Sequence, residues 1–408
     1  MLEQPMFGQH LKALRLARGL SQSALADSEL STGYISRLES GLRPPTSRVV
    51  AHLAQVLDVP TSAFEQTETS SLAQLLAATT SAPSPEGLVE ALTEALRTGG
   101  EDLDPVQRWQ ALWQLAQLCG DQGRHDEEHK WLLELNQLGD RLDVPEFRAR
   151  ALTRLAESSR VLGDSRTAWQ YAVDAHGYVA DLSVADHSAV LHALIAAEAE
   201  TGRLTEARAH ADELCELTRN TPESLLVKAL WAAATVRIRQ GDHTSAQDIL
   251  DRALDKLNSR DDLSLWMRLR LAAASLYLQI SPTDTSRARL RLEEVRPAVD
   301  LIGTDLHQQQ ILSLWAQLAF EEGRIDDARE LCDRLDEQDL RLSFRDGIRL
   351  QVLRGRLLML SGRTDEGVHA LQELAQQAQS TLNVDLAAEI WRILAETLTR
   401  VRQIDDRP

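Results

Sequence analysis

Apolar positions recur at helical spacing along almost the whole chain, and the breaks between them divide it into elements. Leu11, Leu14 and the stem of Arg15 share one face of a helix expected over 7–18, which Gly19 stops. Ser21 is an N-cap residue, and Ala24 and Leu25 give the helix it would start a short buried face. Ser31 caps the next helix, over 32–39. Its Ile35 and Leu38 point inward and its Thr32, Gly33, Ser36 and Arg37 outward. Thr46 opens a fourth helix through 57, with Val49, Val50, Leu53 and Leu57 apolar, and a last short helix is expected over 62–64. Five short helices over 1–66 make one small domain. Over 67–87 the composition shifts to Ser, Thr, Ala and Pro, which predicts a linker with a brief helix at Leu72, Leu75 and Leu76. From 88 to 403 the pattern is helical without interruption, so the fold class expected is all-α.

The outward residues of 32–39 are small and polar at the first turn, with an arginine one turn later. Small groups let a backbone approach a major groove, and a guanidinium reaches bases or phosphate. The segments L-K-A-L-R-L-A-R-G-L-S-Q, Y-I-S-R-L-E-S-G and R-P-P-T resemble the lambda-repressor-like (Cro/repressor, or XRE-type) helix-turn-helix domain. That resemblance implies a scaffold helix starting at Gln22, which touches the DNA backbone, and a reading helix carrying Ser31, Thr32, Gly33, Tyr34, Ser36 and Arg37. Arg43, in the following loop, is placed to meet a phosphate. The resemblance also implies that Arg15 and Glu39 pair inside the domain. The turn Asp27-Ser28-Glu29-Leu30 is one residue shorter than is usual in that family and lacks its glycine.

The body contains an internal repeat. Glycines 123, 163, 202, 241, 323 and 362 are separated by 40, 39, 39, 82 and 39 residues, and the long gap places a turn without glycine near Ser281-Pro282. Five residues after each glycine stands Glu128, Ala168, Ala207, Ala246, Ala328 or Gly367, and seven before stands Ala116, Ala156, Ile195, Ala234, Ala316 or Gly355. Small residues flanking a glycine turn suit two antiparallel helices that cross closely. The pattern resembles the tetratricopeptide repeat with lengthened helices, over roughly 104–378, which implies a right-handed superhelix with a concave inner face. In that family the first helix of each pair lines the concave face. The inward positions here are Gln110, Trp113 and Gln117; Arg150, Thr153, Glu157 and Arg160; His192; Lys228, Trp231 and Arg239; Gln310 and Gln317; and Arg349 and Arg356. Arginines beside tryptophans suit a ligand with a carboxylate and an apolar side chain, such as a short peptide. Asn136, Asn220, Asn258 and Asn383 fall outside these positions.

Composition changes this picture at one point. The chain has 43% hydrophobic and 26% charged residues, ordinary for a globular protein, and a formal charge of −18. Residues 1–66 carry six basic and six acidic side chains, so the whole −18 belongs to the remainder. An acidic body repels phosphate, so DNA contact belongs to the head, and a neutral head grips weakly unless it is paired. Cys119, Cys215 and Cys332 are far apart and lie in helical patterns, which suits free thiols in a reducing compartment. With no basic-then-apolar leader and no run long enough to span a bilayer, the cytoplasm is the expected location and no membrane partner is expected.

His125 and His129 stand at i and i+4, but Asp126 replaces the glutamate of the H-E-x-x-H pattern, and no metal site is assigned. Without a phosphate loop, nucleophile elbow or CxxC pair, no enzyme activity or cofactor is expected. The combined pattern resembles the peptide-pheromone receptor regulators (the RRNPP group). It implies a homodimer that binds an inverted repeat of double-stranded DNA and senses a short peptide or other small ligand in the groove. The rival reading is a protein-interaction scaffold whose head binds DNA or only dimerises, with no small ligand. The final amphipathic helix, from Val384 to Val401, fits either a cap or a dimer face.

Overall fold

The computed structural model describes residues 4, 6–26, 30–57, 59, 61–64, 72, 75–76, 87–99 and 103–405. All regular structure among them is helical, and the chain falls into two compact units, Met1–Ser81 and Ala82–Pro408.

The first unit is built on α1 (Met6–Ala17), α2 (Thr32–Glu39), α3 (Ser47–Val56) and a 3₁₀ turn at Thr61–Phe64. Ser31 and Thr46 cap α2 and α3 as their positions predict: Ser31 Oγ accepts from the Tyr34 amide at 3.2 Å and Thr46 Oγ1 from the Val49 amide at 3.4 Å. Phe7, Leu11, Leu25, Ile35, Leu38, Leu53, Leu57 and Phe64 fill one core, each such side chain contributing roughly 2 kcal/mol by leaving water. Two expectations are corrected. The helix expected after Ser21 is one helical turn among the described residues: Leu25 N donates to the Ser21 carbonyl at 3.2 Å, and Ala24 N donates to Ser21 Oγ. Ser21 and Ser23 bond each other, and Leu25 is the one fully buried side chain of the segment, so little apolar surface drives a longer helix. The last helix is a 3₁₀ turn beginning one residue earlier than expected. The shortened turn at 27–29 and most of the linker expected over 67–87 lie outside the described residues; Leu72, Leu75 and Leu76 are helical.

The second unit opens with α4 (Leu88–Gly99). Helix pairs follow: α5 (Pro105–Asp121) with α6 (His125–Leu142), α7 (Pro145–Val161) with α8 (Ser165–His176), and α9 (Val184–Glu200) with α10 (Leu204–Leu217). Then come α11 (Glu223–Arg239) with α12 (His243–Lys256), α13 (Leu263–Gln279) with α14 (Thr285–Ile302), α15 (Asp305–Glu321) with α16 (Ile325–Asp336), and α17 (Phe344–Leu360) with α18 (Thr364–Ser380); α19 (Val384–Asp405) ends the array. Helix starts are capped by Asp104, Asp164, Ser183, Asp242, Asp262, Asp284 and Ser343. All six repeat glycines sit at positive φ, for instance +90° at Gly163 and +79° at Gly241, a backbone conformation costly for any residue with a Cβ. The α13–α14 turn passes through Ser281 and Pro282, where the spacing puts it. Small residues let the helices of a pair cross closely: Ala156 and Ala168 are both fully buried, and a Cβ on Gly355 would lie 2.1 Å from Leu371 Cδ1.

The array closes on itself. The N-terminal ends of α17 and α19 meet the C-terminal ends of α5, α7 and α9. Asn383 Nδ2 donates to the Gly163 carbonyl at 2.9 Å, Ser165 Oγ donates to Asn383 Oδ1 at 2.9 Å, and Arg341 donates to the Gln122 carbonyl at 3.0 Å. The other face of α19 is an ordinary packing face: Leu386, Ile390 and Leu394 are buried with Ile348, Val352 and Met359 of α17 and Leu371 and Ala375 of α18. Among the described residues no helix is long and apolar enough to cross a membrane.

Candidate functional site

In the head, α2 presents the residues the sequence singled out. Ile35 and Leu38 are buried, while Thr32, Gly33, Ser36 and Arg37 are exposed on the other side. Tyr34 is half-buried beneath Arg43, whose guanidinium carbon lies 4.6 Å from the ring centre, so the loop arginine is held beside α2. The end of α2 is anchored by Glu39. Arg15 Nε and Nη2 donate to its two oxygens at 2.6 and 2.9 Å, and both side chains are buried. Burial alone would raise the Glu39 carboxyl, but the bonds from Arg15 and Gln22 outweigh it and hold it below the usual carboxylate range. Gln22 is therefore engaged: its Nε2 donates to Glu39 Oε2 at 2.8 Å, coupling the segment after α1 to the end of α2.

The arginines expected to offer the groove's positive charge to a ligand are mostly spent on pairs within the protein. Arg150 pairs with Asp186 at 2.8 Å, Arg160 with Glu200 at 2.6 Å, Arg239 with Asp385 at 3.1 Å, Arg349 with Glu389 at 3.0 Å and Arg356 with Glu321 at 2.6 Å. Glu157 lies 3.8 Å from Arg154. Four of the five pairs join inner helices of neighbouring repeats, 35 to 40 residues apart, and the fifth, Arg239 with Asp385, forms because the closure brings α19 against α11. The closure adds a buried network. At its centre Arg345 donates to Asp385 at 2.7 and 3.0 Å and to Asn383 at 3.2 Å, and lies 3.7 Å from Glu200. Burial works against the charge of Asp385, yet Arg239 and Arg345 push its carboxyl down to about 2. Arg160 and Arg345 likewise hold Glu200 low against its burial.

Away from the closure the groove is more open. Trp109 stacks between Trp113 and Phe147, with ring centres 5.3 and 4.5 Å away, and with Gln110, Arg150, Thr153 and Arg154 these rings line a cleft of about 550 Å³. Further along, His192 and Trp231 meet edge to face at 6.3 Å. Burial, with Arg160, Arg268 and Lys228, pushes the His192 imidazole down to about 4. Gln117 and Lys228 are exposed, and Gln310 and Gln317 are half-buried.

Several residues escaped the sequence reading. Arg268 stands 40 residues after Lys228 and so occupies the same register, but its repeat has no turn glycine to count from. Arg345, Asp385 and Glu389 were missed although Arg345–Asp385 and Arg349–Glu389 are each 40 residues apart, one repeat, a spacing that Arg160–Glu200 shares. Asn383, outside the inward positions, is fully buried at the closure. His125 bonds the Arg341 carbonyl at 3.0 Å and His129 bonds Ser158 Oγ at 3.1 Å, so the two rings are held by different partners. Cys119 and Cys332 are buried, Cys215 is half-buried, and all three are free thiols. Burial pushes Cys119 and Cys332 up to about 11, which suits packing rather than reactivity.

The comparisons with known proteins divide the chain at the same place. A family model described as MalT-like TPR region matches residues 104–382, and one described as a helix-turn-helix domain matches residues 6–66. No curated protein matches the chain. Among solved structures, a Rap protein complexed with competence and sporulation factor is 11% identical, with a TM-score of 0.55, covering 98% of this chain and 99% of that one. Likeness at that level shows the fold. NprR from B. thuringiensis in its apo form is 13% identical over 96% of this chain and 97% of that one, with a TM-score of 0.46. PlcR of Bacillus thuringiensis, solved with the peptide PapR7 and DNA, is 14% identical over 75% of this chain and 98% of that one, with a TM-score of 0.43.

Proposed function

This chain belongs to the family of the MalT-like TPR region, here carrying a helix-turn-helix domain, and from that premise we propose that it is a transcription regulator whose helical-repeat body senses a ligand. The observation that carries the reading is the construction of α2. Its apolar face is locked into the head by Ile35, Leu38 and the Arg15–Glu39 pair, while Thr32, Gly33, Ser36 and Arg37 face outward beside Arg43. Gln22, Ser31 and Tyr34 complete the DNA-contacting set, with Arg37 reading bases and Arg43 a phosphate. The head spans 1–66, the linker 67–87 and the sensor and dimerisation body 88–403. A neutral head tethered to an acidic body acts as a homodimer on an inverted repeat, with the two reading helices about 34 Å apart. A ligand that fits one curvature of the groove better than another shifts that spacing by its differential affinity. A short peptide with a carboxylate and apolar side chains suits the aromatic cleft.

The test is a gel shift and footprint on the gene's own upstream region at low salt. Thr32→Ala and Arg37→Ala each lose roughly tenfold or more in operator affinity while the body stays folded. Unchanged footprints for both remove the reading-helix assignment, and no shift by the wild type removes the regulator reading. A second reading, a protein-interaction scaffold without a small ligand, is favoured by the internal pairing of the groove arginines. Repeating the shift with a small-peptide extract distinguishes the two.

A further inference from the structure

We propose that the ligand of the groove carries one anionic group, a carboxylate or a phosphate, held by Lys228 and Arg268 beside Trp231 and His192. This rests on the ligand-sensing reading above and sharpens it by subtraction. Five of the six basic positions expected on the concave face are neutralised by the protein's own carboxylates, leaving Lys228. Arg268 joins it. Both are exposed, and neither forms an ion pair among the described residues.

Their placement follows from the repeat. Lys228 stands thirteen residues before Gly241 and Arg268 thirteen before Ser281, the two turns of adjacent pairs, so they occupy one row on the packed helices α11 and α13. Both face the interior of the array. The fields of Lys228 and Arg268 act on His192 of α9, and that of Arg268 also acts on Asp121 of α5 and His307 of α15. Lys228 stands one turn before Trp231 on α11, and Arg268 holds the matching position on α13, so both share the side of the helices on which Trp231 meets His192.

Two cations without an ion pair among the described residues, in a chain of charge −18, are out of keeping with the five paired groove arginines, and Asp121, the carboxylate on which Arg268 acts, is itself pushed up by burial. An anion there makes charge-assisted hydrogen bonds with an ammonium and a guanidinium, and the surrounding protein weakens their competition with water. Trp231 and the neutral His192 ring supply the apolar wall that a ligand's remaining surface needs. The closure network fills the other end of the inner helices, so no second free anion site remains among its arginines.

The experiment uses the full chain and two probes: an array of hexapeptides in matched pairs differing only by Asp→Asn or Glu→Gln, and calorimetric titration with phosphate and pyrophosphate. The wild type retains acidic members over their amide twins by about tenfold or more, added salt weakens them, and Lys228→Gln with Arg268→Gln removes the preference. Lys256→Gln, on an outer helix, leaves it intact. If pyrophosphate binds the wild type and loses about tenfold in the double variant while the peptide twins do not separate, the site stands with a phosphate ligand. Should the double variant melt lower than the wild type, the charge-preserving Lys228→Arg with Arg268→Lys decides, and it restores binding. The proposal is overturned if acid and amide twins are retained equally and neither phosphate binds, or if binding is unchanged in the double variant. Operator binding on the same preparations separates the failures: a wild type that does not shift DNA sinks the regulator reading, whereas a normal shift with no anion preference sinks this inference alone.

Discussion

Asn383 closes the helical array by binding Gly163: its Nδ2 donates to the Gly163 carbonyl at 2.9 Å, across 220 residues of sequence. The same amide accepts from Ser165 Oγ at 2.9 Å and from Arg345 at 3.2 Å. Every polar atom of a fully buried side chain is thereby satisfied, and the start of the array is tied to its end. Asn383→Leu leaves the Gly163 carbonyl and Arg345 short of a partner and costs about 2–4 kcal/mol. Urea unfolding of the body reads this directly, and a midpoint within error of the wild type contradicts the account of the closure.

Gly163 and Gly241 provide an internal comparison. Both lie at positive φ, so alanine is strained at each by about 1 kcal/mol. A Cβ at Gly241 meets nothing within 4 Å, whereas one at Gly163 would lie 2.5 Å from the Phe344 ring. Gly163→Ala is therefore the more destabilising by roughly 1–3 kcal/mol. Adding Phe344→Ala recovers part of that difference at Gly163 and none at Gly241. Thermal melts of the four variants check the ordering.

The head has its own anchor. Arg15→Ala leaves the Glu39 carboxylate buried with only Gln22 bonded to it and costs about 3–5 kcal/mol, a large share of a small domain's stability. The expected result is an early unfolding step confined to the head, with loss of operator binding and a body transition unmoved. Calorimetry of the full chain separates the two steps; a single transition at the wild-type temperature contradicts it.

Acid acts on the groove in two windows. His192 is pushed down to about 4 from its usual 6.5, so the fold disfavours its protonation; stability is level above about pH 6.5 and falls as pH drops towards 4. Asp385 is held at about 2 against the usual 3.8, so its ionised form favours the fold; that contribution is complete above about pH 4 and is lost as pH falls towards 2. It amounts to roughly 2 kcal/mol. Denaturant midpoints from pH 7 to 2.5 show both slopes, and His192→Gln makes the first shallower without touching the second, the remainder coming from His176 and His307, which burial also pushes down. A variant whose first slope is undiminished removes His192 as its main source.

The sequence by itself determined the local architecture of this protein. Ser31 and Thr46 mark helix starts because a hydroxyl at that position accepts an amide that the helix leaves free. Six glycines mark the repeat because only glycine takes a left-handed turn without strain, and the alanines around them report how closely two helices cross. Arg15 with Glu39 was also legible, through the resemblance of the segments that carry them. These are relations between residues near in sequence or fixed in a motif. What only the tertiary structure decided is which charges and polar groups meet across the closure. Arg345, Asp385 and Asn383 find partners in repeats far from them in the chain, because the array closes and brings α17 and α19 against helices formed from the opposite end. No spacing along a chain encodes that curvature, which accumulates from small rotations between successive pairs. Arg268 lies between the two cases: its register was written in the repeat, and the missing glycine at Ser281 concealed it until the helices were in place.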